Sequence, residues 1–244
     1  MPTAASSARP PLDLPPLYRP VTLRETGDAF AHACRIAAEA GAGTLVHTGR
    51  FDVLDFAVVL EPEEPLAQAR RAFFAGLAAL GDAIGAVSPP TKSLFFDWPD
   101  ALLFDGARIG GARLGWPAGC REDEPPDWLV FGATLIRARM GVLEGGAVPT
   151  STSLEEESFA EGSEAILEGF ARFLMLALDT WADRGFEAVA PGYLERLSLP
   201  GGKRLDANGD LLIGEGEGTP LRLPLLPALA DPSWLDPQTG EPRL

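Results

Sequence analysis

The residue in this chain best placed to do chemistry is a basic one on a hairpin. Arg108 follows the turn pair Asp105-Gly106, and Gly110 and Gly111 come two and three residues later. An Asp-Gly pair between apolar runs specifies a tight hairpin, and glycine on the return strand lets a ligand or another backbone come close. A guanidinium on such a strand is a two-pronged donor for a carboxylate or phosphate. The plainer reading is a strand arginine paired with a neighbour such as Asp100. Arg50, after Gly49 in a compact turn, offers a second cation as ligand contact or as ordinary surface charge. Trp98, before Pro99, suits a pocket wall and core packing alike.

Other reactive side chains are few. Cys120 precedes Arg121, a cation that would favour its thiolate, so it is either an acyl-accepting thiol or an ordinary loop cysteine. His47 reads as a base or as a hydrogen-bonded strand residue, and Cys34, among alanines, as a small apolar filler. Two Cys and two His do not readily make a structural zinc site. A carboxylate-rich magnesium site stays open. The run Glu155, Glu156 and Glu157 reads as a solvated helix start and not as metal ligands.

The bulk properties narrow the function classes. A net charge of -15 over 244 residues repels nucleic acid and anionic membrane surfaces, and no basic patch offsets it. Hydrophobic residues at 46 % supply a core, and no apolar run is long and uncharged enough to span a bilayer. Pro2, Pro10, Pro11, Pro15, Pro16 and Pro20 make the first twenty residues an extended lead-in without a signal-peptide core. With two cysteines and no disulfide framework, a cytoplasmic location is expected.

Several elements must position these residues. Phe30, Ala33, Cys34, Ala37 and Ala40 line one face of a helix that starts near Thr26 and stops at Gly41. Residues 44–47 and 54–60 read as strands. Leu66, Ala69, Phe73, Leu77, Leu80 and Ile84 predict one long helix whose exposed face carries Arg70, Arg71 and Asp82. Residues 93–96, 101–104, 108–116 and 128–139 predict four more strands, largely antiparallel because their connections are short. Ile166, Phe170, Leu174, Leu178 and Trp181 predict a helix ending at Arg184-Gly185, and Asn208-Gly209 predicts a second hairpin. Glycine- and proline-rich chain follows.

In order and content, these elements resemble the biotin protein ligase, lipoate ligase and octanoyltransferase superfamily over residues 21–190. In that family a Lys-Trp-Pro-Asn-Asp-Leu segment leads into a hairpin whose return strand reads Lys-Leu-Ala-Gly. The same slots here hold Asp97, Trp98, Pro99, Asp100, Ala101 and Leu102, then Arg108, Ile109, Gly110 and Gly111. The resemblance implies an α+β fold, a mostly antiparallel sheet flanked by helices. Residues 1–20 would be a lead-in, 21–190 the ligase-like domain and 191–244 a small C-terminal β module. It implies binding of a small carboxylic acid (biotin, lipoate or octanoate) or its acyl-adenylate, with ATP and Mg as cofactors. Transfer to a lysine of a biotinyl or lipoyl acceptor domain would follow, and a homodimer through a sheet edge is a further expectation. Arg108 takes the catalytic role, stabilising developing charge, and Gly49, Arg50, Trp98, Asp100, Gly110 and Gly111 the ligand-binding roles.

The departures shape the alternatives. The family's Gly-Arg-Gly-Arg-X-X-Gly-Arg loop is reduced to Gly49-Arg50 followed by Phe51-Asp52, which shields an adenylate less from water. Asp97 replaces a cation, and Gly132-Ala133-Thr134-Leu135 lacks the asparagine of the family's Gly-X-X-Asn strand. One alternative is therefore a catalytically silent module of the same fold that binds a ligand or an acceptor domain. The other is a Cys120-dependent octanoyl or lipoyl transferase using a thioester.

Overall fold

A computed structural model describes residues 11–139, 150–159, 162–214 and 218–243. The first half of the chain forms β1 (Arg19–Leu23), α1 (Ala29–Ala40), β2 (Thr44–Thr48), β3 (Val53–Leu60), α2 (Leu66–Ala69) and α3 (Ala72–Val87). There follow β4 (Leu94–Asp97), β5 (Ala101–Phe104), β6 (Ala107–Gly115) and β7 (Leu129–Ile136). The remainder comprises α4 (Ser163–Arg184), a 3₁₀ turn at Phe186–Ala188, α5 (Ala190–Leu194), β8 (Lys203–Leu205), β9 (Leu211–Ile213), β10 (Leu221–Leu223) and α6 (Leu225–Ala230).

Seven strands make one sheet in the order β1-β2-β3-β7-β6-β5-β4, antiparallel except for the parallel pair β1 and β2. The last three strands form a separate antiparallel sheet. β7 is buried along its whole length because both faces of the large sheet are covered. Phe56, Val58, Phe131, Leu135, Leu102 and Phe104 face α3 and α4 in the larger core. Val46, Ala57, Val59 and Val130 face the alanines of α1 in a smaller one.

Missing side chains set how closely these layers pack. A Cβ on Gly76 of α3 would lie 2.5 Å from the Phe131 ring, and one on Gly132 of β7 would lie 2.7 Å from Phe30 of α1. The double glycine of β6 is split between two uses. Gly110 faces its neighbour strand, where a Cβ would sit 2.1 Å from the Thr134 carbonyl oxygen, while a Cβ on Gly111 would sit 2.2 Å from the Trp234 ring.

Three expectations from the sequence need correction. The helix expected over residues 66–84 is broken at Arg70 and Arg71. Arg70, expected on an exposed face, is 3 % exposed. Its whole side chain is buried, the guanidinium bonding Glu122 and lying 5.6 Å from the Trp116 ring. Glu157 is not a solvated helix start, since it is buried, accepts from Thr152 Oγ1 at 2.6 Å and pairs with Lys92. α4 begins only at Ser163. The last two residues of the expected lead-in, Arg19 and Pro20, open the extended edge strand β1, which pairs with β2, while residues 1–10 lie outside the described residues.

Gly110→Ala should lower stability by about 2 kcal/mol, because the added methyl meets backbone and not a movable side chain. Urea unfolding measures it; a midpoint matching the parent chain would show that β6 and β7 can separate freely at this point.

Candidate functional site

One buried carboxylate organises the face of the sheet that carries α1. Asp55 of β3 is 4 % exposed, accepts from the Ala29 backbone N–H at 2.8 Å and from Thr134 Oγ1 at 3.0 Å. The first bond ties the opening turn of α1 to the sheet, where unpaired N–H groups and the positive helix end favour an anion. Asp28 caps the same helix by accepting from Ala31 N at 2.9 Å. Arg113 of β6 grips Asp28 with two bonds of 3.0 and 3.1 Å, lies 3.9 Å from Asp55 and rests over Phe30. Burial pushes the Asp55 carboxyl up. Burial also pushes Asp28 up, but the Arg113 hydrogen bond and charge hold it below the usual carboxylate range.

A bulge decides which hairpin residues join this face. Leu102 pairs with Gly110 and Leu103 with Arg108, so Ile109 is the extra residue. Paired residues share a face, and residues two apart on a strand do too. Gly111 pairs with Ala101 and Thr134, and Thr134 with Asp55. Ala101 and Leu103 share a face, so Arg108, Gly111, Arg113, Thr134 and Asp55 all present to the same side. Without the bulge Arg108, three residues before Gly111, would face the helices. Among the described residues Arg108 has no ion-pair partner, Asp100 included, and its Nε is buried without a hydrogen-bond partner. Its backbone is clamped by Thr150 and Thr152 at 2.9 and 2.7 Å.

The remaining sequence-derived candidates divide between two places. Trp98 stacks on Phe74 and meets Tyr193 edge-on, within the core on the helix side of the sheet. Asp100 is buried and accepts from the indole N–H of Trp234 at 3.2 Å, while its other oxygen has no partner among the described residues. Burial raises its carboxyl to about 7, against the lowering effect of that indole bond. Gly49 donates its N–H to the Leu23 carbonyl at 3.1 Å, pinning the turn between β2 and β3. Arg50 forms two bonds to Asp52, of 2.9 and 2.6 Å, and one of 2.7 Å to Glu241.

Thr239, Gly240 and Glu241 therefore roof a cavity of about 220 Å³ whose other sides include Asp28, Arg50, Asp55, Arg113 and Thr134. It offers acceptors and donors side by side, which suits a small polar ring. Sequence reasoning missed Asp28, Asp55, Arg113, Thr134, Trp234 and Glu241. Asp55 had a signal, an acid inside the apolar run 54–60. The others had none, since strand order alone brings them together.

Cys120 lies elsewhere, packed with Leu66, Leu114, Trp116 and Leu129. Burial and then the carboxylates of Glu124, Asp127 and Glu122 push its thiol up, so Arg121 does not deliver the expected thiolate. His47 shares a 3.0 Å hydrogen bond with Thr22. Among the described residues no three His, Cys, Asp or Glu side chains converge to hold a metal ion.

Asp100 generates a pH prediction. Its folded-state pKa of about 7 lies above the ordinary 3.8, so the native state holds an extra proton between those values. Its contribution is greatest at the acid end of that window and is lost as pH rises toward about 7. Asp100→Asn removes the titration, so the variant's melting temperature relative to the parent should be higher at pH ~8 than at pH ~5. Calorimetric melts at both pH values measure this, and a constant difference would mean that Asp100 stays ionised throughout.

Comparison with known proteins agrees with this architecture. The model of the biotin/lipoate A/B protein ligase family matches residues 14–195. A biotin–[acetyl-CoA-carboxylase] ligase of Paracoccus denitrificans is 28 % identical over 149 residues, covering 59 % of this chain and 60 % of that relative's length. The crystal structure of a biotin protein ligase-like protein of unknown function from Silicibacter sp. TM1040 superimposes with a TM-score of 0.76 at 29 % identity, over 88 % of this chain and 97 % of that one. The Aquifex aeolicus biotin protein ligase in complex with biotin and ATP shares the fold at a TM-score of 0.61 and 14 % identity, over 84 % and 94 % of the two chains. With its family match spanning the large sheet and the helices on both faces, the chain belongs to the biotin/lipoate A/B protein ligase family.

Proposed function

We propose that this protein binds a small carboxylic acid, biotin first among them, and activates it for transfer to a lysine of an acceptor domain. The observation that carries the reading is the bulge at Ile109, which sets Arg108 on the same face as Asp55, Arg113 and Thr134. A cyclic urea displays N–H donors beside a carbonyl acceptor. Asp55 and Thr134 supply acceptors for the former, and Arg113 a donor for the latter. Arg108, without an ion-pair partner among the described residues, is left for the anionic end of the ligand. Charge grows there as a carboxylate attacks a phosphoryl group, and a guanidinium already aimed at it needs no reorganisation.

ATP fits this face through charge and not through a dedicated loop. Arg108 would take a phosphate, and bound ATP would supply the adenylyl group that makes the carboxylate a good acyl donor. Magnesium usually rides on the nucleotide's own phosphates with few protein carboxylates, so a preformed acidic cluster is not required. The acceptor lysine must reach the same side of the sheet, because Arg108 lies there.

A second reading, a ligand-binding module without turnover, is favoured by one feature. The turn between β2 and β3 is short, and its single arginine is already engaged by Asp52 and Glu241. A thioester route through Cys120 has no comparable support, because that thiol packs away from the cavity.

Biotin-dependent exchange of pyrophosphate into ATP is the expected activity, reduced about 100-fold in Arg108→Ala, the usual scale for losing one aligned donor to a developing anion. Biotin binding without exchange would establish the silent module instead. Exchange unaffected by the substitution would remove Arg108 from the mechanism.

A further inference from the structure

The face that a ligand must approach is not open. Trp234 is 0 % exposed and its ring lies on Gly111, in the space that glycine leaves. Glu241, seven residues later, holds Arg50 at 2.7 Å, and Thr239 and Gly240 roof the adjoining cavity. We propose that this C-terminal strap, residues 232–243, is a detachable plug that excludes ligand from the site until it swings away. The inference rests on the functional reading above, because it assigns the strap's place to the ligand.

Two observations support detachment over permanent burial. The first is the way the strap bonds. Leu235, Asp236, Gly240 and Arg243 donate their backbone N–H groups to Pro232, Glu241, Asp236 and Trp234 carbonyl oxygens. Gln238 and Glu241 donate theirs to the Asp236 and Thr239 side chains, and the Arg243 side chain returns to the Leu235 carbonyl. Among the described residues its polar links to the rest of the molecule are two side-chain contacts, Trp234 to Asp100 and Glu241 to Arg50. A loop that satisfies its own backbone leaves no N–H groups stranded when it departs, unlike a strand, so the Trp234 indole and the Glu241 ion pair are what hold it in place.

The second observation is what the strap contacts. Asp100 is a buried carboxylate beneath Trp234 and Arg50 a half-buried guanidinium lining the cavity, and the strap supplies each with a partner of the kind a polar ligand would offer. Gly111 is flat backbone with room for a ring, and the strap supplies one. Ligand and strap thus compete for the same groups, and the apparent affinity is reduced by the fraction of molecules whose strap is open.

The test uses the full-length chain, Trp234→Ala and Glu241→Gln, with two readouts. Amide hydrogen exchange should show the 234–243 amides opening at least about tenfold faster than those of β6 and β7, and faster still in both variants. Biotin, followed by calorimetry, should bind at least about tenfold more tightly to Trp234→Ala, with a smaller gain for Glu241→Gln. Strap amides that exchange only with global unfolding would overturn the plug, as would equal biotin affinity in all three proteins. If no protein binds biotin while the strap still opens independently, the carboxylic-acid reading fails and the detachable strap stands.

Discussion

A carboxylate removed from water must be met by donors, and the way Asp55 meets that requirement determines the geometry around it. Its two oxygens take the first free N–H of α1 and the hydroxyl of Thr134, so the helix start is fastened to the middle of the sheet. Removing either partner would leave a buried charge uncompensated, a loss that typically exceeds the net worth of the bond itself. From that fastening follow the position of Asp28 at the helix cap, its two-pronged grip on Arg113, and the cavity between them. Charge is balanced locally around this carboxylate, even in a protein with a net charge of -15. Arg50 and Arg113 are balanced locally by Asp52, Glu241 and Asp28, which leaves Arg108 as a cation without an ion-pair partner among the described residues.

The two faces of the large sheet do different work. On one, aromatic rings of β4, β7, α3, α4 and α5 interlock. Phe96 stacks on Tyr193 at 5.2 Å and Phe131 on Phe170 at 5.5 Å, and Gly76 lets α3 sit down on Phe131. Such interlocking makes the strands a well-packed platform. The other face is covered by the small side chains of α1 and by the strap. The bulge at Ile109 moves one arginine from the side of α3 and α4 to that side at the cost of a single irregular residue.

Trp234 links these themes. An indole over Gly111 hides apolar surface that glycine leaves exposed, and its N–H answers the buried Asp100 carboxylate. Asp100, where the family pattern has an asparagine, sits beside a donor that the chain itself carries. The strap lies beyond residues 14–195, the stretch that the family model matches.

Much of this was present in the sequence. Short apolar runs marked β2 to β7, helical spacing marked α1, α3 and α4, and the turn pairs Asp105-Gly106 and Asn208-Gly209 marked two hairpins, because local sterics and propensity depend on near neighbours. The Trp98-Pro99 segment and the glycines behind Arg108 pointed to the family for the same reason. What local pattern could not encode was decided by strand order and packing. Arg70 left its exposed face because a carboxylate fifty-two positions away could pair with it in the fold. Arg108 reached its face through a one-residue register shift that alternation alone would have placed opposite. Asp55, Thr134, Arg113, Trp234 and Glu241, spread from β3 to the C-terminal strap, met only when β7 inserted between β3 and β6 and the chain end folded back over them. Contacts between distant residues carry no local signature, so the sequence by itself determined the elements and the family, and the tertiary structure alone determined the site and what covers it.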